Sequence, residues 1–321
     1  MKKMKVAMIL SAIVVVAGLA LSLLGLLMMR FDFSRLDFSR YQSKTYELVE
    51  DFNSISIDID TADVTLRLSQ DGVCRVSCFE DERKAHTVAV QDGTLQIGKA
   101  KTEWYDNIGM FNFNGPTITL SLPKAAYDAL QIRTNTGDVT LPSELSFTNA
   151  TVKCDTGDVS WQSAVEGTLS VTTDTGEIKI EGVSPKSLQV KSDTGDISVG
   201  DGKIEALQAS THTGAVKLSS IECGSLAMES TTGDVELKGL IAADAISITT
   251  DTGDVDLDAC DAAALTIRTD TGDVWGLLLS EKVFVTRTDT GDVDVPKGMS
   301  GGICEVVTDT GDIELSVGGG E

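Results

Sequence analysis

From residue 130 onward, hydrophobic and polar positions recur with a period of 19 or 20 residues. Counted from a central glycine, apolar residues mostly fill positions −7 and −5, Val or Ile fills position +2, and position −1 is always Thr. The ten central glycines are Gly137, Gly157, Gly176, Gly195, Gly214, Gly233, Gly253, Gly272, Gly291 and Gly311. Ten copies at one period predict a repeat architecture in which each unit buries its apolar face against its neighbours.

The alternation of inward-facing and outward-facing positions shifts by one residue at the Thr-Gly pair. Such a slip predicts a corner, because glycine allows a bend between two strands that face the same core. Units of two or three short strands, stacked about 4.8 Å apart, would form a column about 48 Å tall. We therefore predict an all-β fold, a parallel β-solenoid of about ten 19–20-residue rungs, with the Thr at position −1 forming an internal hydroxyl ladder. An antiparallel meander is disfavoured because its single apolar face would lack a cover.

The chain before the repeats is a more irregular β region. Ile55, Ile57 and Ile59 alternate into residues 61–64, Thr-Ala-Asp-Val, which form a degenerate copy of the repeat corner. We expect this region to cap or begin the solenoid. The predicted organisation is a cytoplasmic tail (1–5), a transmembrane signal anchor (6–29), a juxtamembrane linker (30–45), an irregular N-terminal β cap (46–125), the β-solenoid (126–317) and a Gly-rich tail (318–321).

One loop of the cap region is rich in aromatic residues. Trp104, Tyr105, Phe111 and Phe113 lie within ten residues of one another. Aromatic side chains dominate binding hot spots, so these four are candidates for contact with a partner. The alternative, which we favour, is that they fold down and plug the end of the solenoid.

The N-terminus carries the signature of a membrane anchor. Residues 6–29 contain no charged side chain and follow Lys2, Lys3 and Lys5. About 20 apolar residues span a bilayer as a helix, whereas the apolar core of a cleavable signal peptide is shorter. We therefore predict a single-pass protein of the cell membrane with its C-terminal domain outside the cytoplasm, although the count of positive charges on the two sides does not fix the orientation.

Charge is distributed unevenly along the chain. The total is −23, but residues 1–44 hold seven basic and two acidic side chains, so they carry +5 and the remainder carries −28. A chain this acidic is repelled by phosphate, which excludes nucleic acid as a partner. Much of the acidity lies at positions −2 and +1 of the repeat, where stacked carboxylates would repel each other unless cations relieve them.

Calcium is a candidate for these acidic columns because it takes six to eight oxygen ligands. The candidate calcium ligands are Asp251, Asp254, Asp270, Asp273, Asp289 and Asp292. The alternative is a set of solvated corner aspartates that accept local backbone hydrogen bonds. No glycine-rich calcium-binding repeat and no EF-hand loop is present in the sequence, so no dedicated cofactor is predicted.

Other chemistry has little support in the sequence. The tripeptide Asp-Thr-Gly carries the catalytic carboxylate of aspartic proteases, but here it follows the structural period instead of forming one pair of carboxylates. His86 and His212 lie in different regions without metal-ligand spacing, and we expect both at the surface. The six cysteines fall at positions too far apart to bridge, which predicts free thiols that behave as small apolar groups. No catalytic residue is predicted.

The degenerate corner at 61–64, the ITLSLP strand ending at Pro123 and the serial TNTGDV, CDTGDV, TDTGEI and SDTGDI repeats resemble the bacterial putative adhesin family over residues 46–317. The resemblance implies a β-strand-repeat protein of the cell envelope and carries over no catalytic residue. We expect a non-enzymatic adhesin-like binding or scaffold element whose partner is an envelope protein, a glycan or a cationic peptide. The alternative is an envelope-stress sensor or decoy whose acidic columns bind cationic peptides or divalent cations. A remote alternative is a polysaccharide-processing solenoid enzyme.

Overall fold

The computed structural model describes residues 14–24, 28, 41–81, 85–99 and 115–318. Residues 14–24 form a helix on which every side chain is exposed. Within the described residues, no helix is both long and apolar enough to cross a membrane. The predicted anchor at 6–29 lies partly outside these residues, so it stays a prediction.

The rest of the described chain is β structure. Twenty-five strands are formed in this order: β1 Tyr41–Leu48, β2 Ser54–Thr61, β3 Asp63–Leu68, β4 Cys74–Asp81, β5 Thr87–Gln91, β6 Thr94–Gly98, β7 Thr117–Leu122, β8 Ala126–Thr136, β9 Val139–Leu141, β10 Ser146–Thr156, β11 Val159–Trp161, β12 Ala164–Val165, β13 Thr168–Thr175, β14 Ile178–Glu181, β15 Ser187–Thr194, β16 Ile197–Thr213, β17 Val216–Thr232, β18 Val235–Lys238, β19 Ile241–Thr252, β20 Val255–Thr271, β21 Val274–Leu278, β22 Lys282–Thr290, β23 Val293–Asp294, β24 Gly302–Thr310 and β25 Ile313–Val317.

These strands stack as a parallel β-solenoid, which confirms the predicted fold class. Strands that precede the Thr-Gly corners pair in register to form one wall, as β8, β10, β13 and β15 do. Strands that follow the corners form a second wall, which includes β9, β11 and β14. Apolar side chains from both walls meet in one continuous buried core. Trp161 at position +4 is fully buried in this core, as its inward parity predicts.

The rungs do not stack in sequence order at either end. At the N-terminal end, β2 and β3 lie between the pair β6 and β7 and the pair β8 and β9. At the C-terminal end, β24 pairs with β20 on one side and with β22 on the other, and β25 lies likewise between β21 and β23. The last rung in sequence is therefore inserted inside the stack, and the rung before it is outermost.

The two ends of the stack also differ in whether further strands cover their edges. At the N-terminal end, β5 pairs antiparallel with β6, while β4 pairs antiparallel with β7 and also with β1. These antiparallel strands cap the N-terminal edges of both walls. Nothing comparable covers β22 and β23 among the described residues, where each pairs on one side only.

The central glycines form a column at the corner. All ten have φ between 131° and 157°, a conformation that is essentially restricted to glycine. A Cβ atom on each would overlap the backbone carbonyl of the corner residue in the adjacent rung, as it would between Gly214 and Gly195. Both the backbone conformation and the close approach of the rungs therefore require glycine.

The predicted hydroxyl ladder at position −1 is wrong. All ten Thr residues at that position are exposed, because the chain turns at the corner before this side chain can point inward. The buried hydroxyls lie instead at position −3, where Ser192 donates to the carbonyl of Gly176 at 3.2 Å and Thr211 donates to Gly195 at 3.3 Å. Hydroxyls at position −3 thus bind carbonyls of the glycine column in several rungs, whereas those of Ser230, Thr250 and Thr269 are buried without a hydrogen-bond partner.

A second corner lies at position +6. The residues there adopt the left-handed conformation at φ between 54° and 70°, and in five consecutive rungs they are Gly182, Asp201, Ser220, Gly239 and Ala259. Unlike the central glycines, Gly182 has open space where a Cβ would lie. This corner therefore tolerates side chains at the cost of backbone strain alone, which is why no invariant residue marks it in the sequence.

Candidate functional surface at the open end

The uncapped C-terminal end of the solenoid concentrates exposed apolar side chains. Beyond residue 28, ten large hydrophobic residues of the described chain are exposed, and seven of them lie between residues 275 and 303. These seven are Trp275, Leu277, Leu279, Val285, Val293, Met299 and Ile303. Exposed apolar residues concentrated in one part of a fold are typical of sites of interaction. We call it the open end, together with the free edges of β22 and β23.

A tryptophan flanked by carboxylates lies on one wall of the open end. Trp275 pairs in register with Asp256 on one side and with Glu314 on the other, and Glu314 pairs with Asp294 on the outermost rung. Trp275 is 38% exposed, and Pro296 joins it in lining a shallow groove. An indole face beside carboxylates attracts cationic side chains, so this wall can bind an ammonium or guanidinium group.

The electrostatics of this wall follow from its acidity. Burial raises the pKa of Asp256, and the nearby carboxylates of Glu236 and Asp258 raise it further. A cation bound beside Trp275 would relieve this repulsion. The inserted rung places Glu314 next to Trp275, where stacking in sequence order would place Asp294, so a carboxylate lies on that side in either order.

Trp275 is not among the predicted site residues, although the sequence carries a signal for it. The equivalent +3 position carries small or charged residues in the other repeats, such as Ser160, Lys179, Ser198 and Lys217. A single Trp at an outward position is therefore an exception to the pattern. The +3 residues of the rungs before and after it in sequence, Asp256 and Asp294, are acidic, but the contact with Glu314 depends on the order of the rungs.

The acidic column at position +1 has a structural role. Oδ1 of Asp158 accepts the backbone N–H of Glu177 at 2.8 Å, and Oδ1 of Asp254 accepts that of Asp273 at 2.9 Å. The same contact recurs in most rungs, so each carboxylate hydrogen-bonds to the backbone of the next corner. At position −2, some carboxylates have basic partners in the same strand, as in the Lys191–Asp193 pair at 3.3 Å.

Calcium binding at these columns stays a prediction. Asp270 and Asp273 do not lie next to the rung of Asp289 and Asp292, because the rung of residues 309–312 is inserted between them. Among the described residues, the six candidate aspartates contribute to no group of three ligand atoms close enough to share a metal ion. One oxygen of Asp254 and one of Asp273 are already engaged by backbone N–H groups.

The other candidate residues have mixed outcomes. The aromatic loop with Trp104, Tyr105, Phe111 and Phe113 lies outside the described residues. His212 is exposed as predicted, but the surface prediction for His86 is wrong, because this side chain is buried beside Glu80. His86 lies beyond the end of β4, where the alternating pattern of a strand does not predict the orientation of a side chain.

All six cysteines are free and buried, in agreement with the prediction. Burial raises the pKa of each thiol, to about 11 for Cys260 and to about 12 for Cys304. The thiolate is the reactive form, so these cysteines are poor nucleophiles at neutral pH.

Comparison with known proteins identifies similar chains. The family model described as Toastrack DUF4097 matches residues 52–219 and again residues 197–320. The chain is similar to a solved "putative adhesin" from Parabacteroides distasonis, with 12% identity, a TM-score of 0.49 and coverage of 87% of this chain and 98% of that one. A "putative adhesin" from Parabacteroides merdae shares 13% identity at a TM-score of 0.48, with coverage of 87% and 98%.

A third solved structure is described differently. It is a "putative lipid binding protein" from Parabacteroides distasonis, with 14% identity, a TM-score of 0.44 and coverage of 87% of this chain and 98% of that one. No curated protein matches the chain.

Proposed function

Since the chain belongs to the Toastrack DUF4097 family, we propose that its solenoid serves as a non-enzymatic, adhesin-like binding element of the cell envelope, held at the membrane by residues 6–29. The observation that carries the proposal is the open end, where exposed apolar residues, acidic groups and unpaired strand edges occur together. We propose that it contacts an extended, basic segment of another envelope protein.

The geometry of the chain supports a contact at this end. The predicted anchor precedes β1 and the antiparallel cap, so the cap lies at the membrane-proximal end of the proposed arrangement. Ten rungs spaced about 4.8 Å apart would place the open end about 48 Å away from the cap. The exposed apolar side chains of the helix over 14–24 are consistent with insertion into lipid.

The chemistry of the open end supports the same kind of partner. An extended segment can add a strand to the free edge of β22 through main-chain hydrogen bonds. Lys or Arg side chains of that segment would then contact Trp275 and its neighbouring carboxylates on the adjacent wall. The exposed Val285 and Val293 would be covered by the same contact.

A second candidate function is supported by a different observation. Carboxylates at position −2 are exposed in several consecutive rungs, as at Asp155, Asp174 and Asp193. Closely spaced like charges raise the local concentration of counter-ions, so these columns could attract cationic peptides or divalent cations as a sensor or decoy. Such binding would be distributed over the solenoid and would weaken as salt increases.

Binding of a decalysine peptide to the full chain in zwitterionic lipid nanodiscs separates the two candidates. Replacement of Trp275 with Ser should weaken binding about tenfold, because it removes the aromatic contact of the proposed site. Leu68→Ser is the matched control, since it removes an exposed apolar side chain from the opposite end of the stack. The measurement is the dissociation constant across a salt series.

Two results of the decalysine experiment would count against binding at the open end. Equal binding by wild type and Trp275→Ser, combined with loss of binding at physiological salt, would favour the acidic columns over the open end. Absence of binding even at low salt would contradict both candidates for cationic partners.

A further inference from the structure

Three potential metal ligands lie together in the N-terminal cap, far from the open end. The Sγ atom of Cys78, a carboxylate oxygen of Glu80 and a ring nitrogen of His86 all lie within 4.8 Å of one another. Cys78 and Glu80 alternate on one face of β4, and His86 follows residues 82–84. All three residues are buried, with relative exposures of 0%, 2% and 9%.

Glu80 is bonded through one oxygen only. Its Oε2 atom lies 2.6 Å from Nδ1 of His86 and accepts the backbone N–H of His86 at 2.9 Å. Its Oε1 atom is buried and has no hydrogen-bond partner. A buried carboxylate normally satisfies both oxygens, because each unpaired polar atom costs free energy of desolvation. The unpaired Oε1 therefore indicates a missing ligand next to the Cys78 thiol and the His86 ring.

We propose that Cys78, Glu80 and His86 form a binding site for a transition-metal dication, of which Zn²⁺ is the best fit. Thiolate, carboxylate and imidazole are ligands that zinc accepts in tetrahedral sites, and three protein ligands leave a fourth position for water. Thiolate and imidazole disfavour calcium and magnesium, which prefer oxygen. A dication would also balance the charges of the thiolate and the carboxylate.

The position of the site gives it a structural consequence. β4 lies between β1 and β7, so the site is built into the strand that links the outermost part of the cap to the solenoid. The hydroxyl of Tyr46 on β1 donates to the carbonyl of His86 at 3.4 Å. Lys44, opposite Cys78 in the β1–β4 register, holds its ammonium group over the Tyr46 ring. Metal binding would tie β1, β4 and residue 86 together and so stabilise the cap.

Cobalt substitution tests the site directly, because a Co²⁺–thiolate bond produces a charge-transfer absorption in the near ultraviolet. We expect the full chain in detergent micelles to bind one Co²⁺ with this absorption, and Zn²⁺ to displace it and raise the melting temperature. The variant Cys78→Ala should lose the band, while Cys223→Ala, which removes another buried thiol, should keep it. Replacement of His86 with Gln should weaken zinc binding at least about tenfold.

Circular dichroism would establish that each variant is folded. Should Cys78→Ala fail to fold, Glu80→Gln provides a nearly isosteric variant that should weaken metal binding while keeping a polar side chain in place. Absence of the cobalt–thiolate band in the folded wild type, or its persistence in folded Cys78→Ala, would overturn the proposal. An unchanged zinc affinity in folded Glu80→Gln and His86→Gln would do the same.

Discussion

Replacing Gly214 with Ala should lower the free energy of unfolding by at least about 3 kcal/mol. The φ of Gly214 is 145°, and a Cβ atom there would overlap the carbonyl oxygen of Gly195 in the adjacent rung. The neighbouring backbone cannot move away, because it is held between rungs on both sides by hydrogen bonds such as Gly195 N–H to Thr213 O at 2.9 Å. Urea denaturation of the full chain, followed by circular dichroism, measures the change.

Gly182→Ala is the matched control for this prediction. Gly182 also has a positive φ, of 70°, but no atom lies within 4 Å of an ideal Cβ at this position. Ala259 already occupies the equivalent place in another rung, with a φ of 54°. We expect Gly182→Ala to cost only about 1 kcal/mol. Equal effects of the two substitutions would mean that the glycine column is not the closely packed corner that the structure describes.

Replacing Asp261 with Ala should destabilise the open end by about 3 kcal/mol. The ammonium of Lys282 on β22 is buried and donates to Oδ1 of Asp261 on β20 at 2.5 Å, reaching across the inserted strand β24. Removal of the carboxylate leaves this buried charge with Ser280 as its hydrogen-bond partner, at 2.6 Å. Because β22 is the outermost strand of its wall and pairs on one side only among the described residues, the loss should appear as local opening of β22, measured as faster amide hydrogen exchange over residues 282–290.

Two further variants check the cause of this effect. The double variant Asp261→Ala with Lys282→Met removes both charges and should recover much of the lost protection. Lys203→Met disrupts the exposed Lys203–Glu222 pair, 2.7 Å long, and should change stability by less than about 1 kcal/mol. Exchange over 282–290 that is as slow in Asp261→Ala as in the wild type would show that the Lys282–Asp261 pair does not hold the outermost rung.

The same pair makes the open end sensitive to acid. Burial alone would raise the pKa of Asp261, but hydrogen bonds from Lys282 and Ser280 outweigh it and hold the pKa below the ordinary value of 3.8. A carboxyl group whose pKa is lowered by folding stabilises the folded state above its unfolded pKa, and this contribution is lost as the pH falls through the folded value. The protection of β22 should therefore be constant near neutral pH and decline below about pH 4.

The repeat could be predicted from sequence because its physical causes are local. The glycine conformation, the inward apolar positions and the period all recur within 20 residues, so a parallel solenoid follows from them. The orientation of the Thr at position −1 could not be inferred from alternation alone. It depends on whether the chain bends before or after that residue, and only the position of the corner decides this.

The order of the rungs is the feature that periodicity could least reveal. Every rung presents nearly the same apolar positions, so β20 offers β22 and β24 almost equivalent surfaces for pairing. The inserted order includes close approaches at residues outside the repeat, such as Gly301 and Gly302, where a side chain would overlap the backbone of neighbouring segments. Which strands form the open end depends on that order, so its position could not be predicted from the sequence, whereas the clustering of Trp104, Tyr105, Phe111 and Phe113 is visible in the sequence itself.

Disulfide trapping of the outermost rungs tests most directly whether β22 and β23 form the open end. Arg268 pairs in register with Val307, and Val307 pairs with Arg287, so Arg268 and Arg287 are two rungs apart. Oxidation of a variant with Arg268→Cys and Val307→Cys should produce a rapid, complete crosslink, because adjacent strands bring the two Cα atoms within disulfide range. The combination of Arg268→Cys and Arg287→Cys should not crosslink. The buried native thiols should not compete, and efficient crosslinking of 268 to 287 instead of 307 would contradict the inserted rung and the open end built on it.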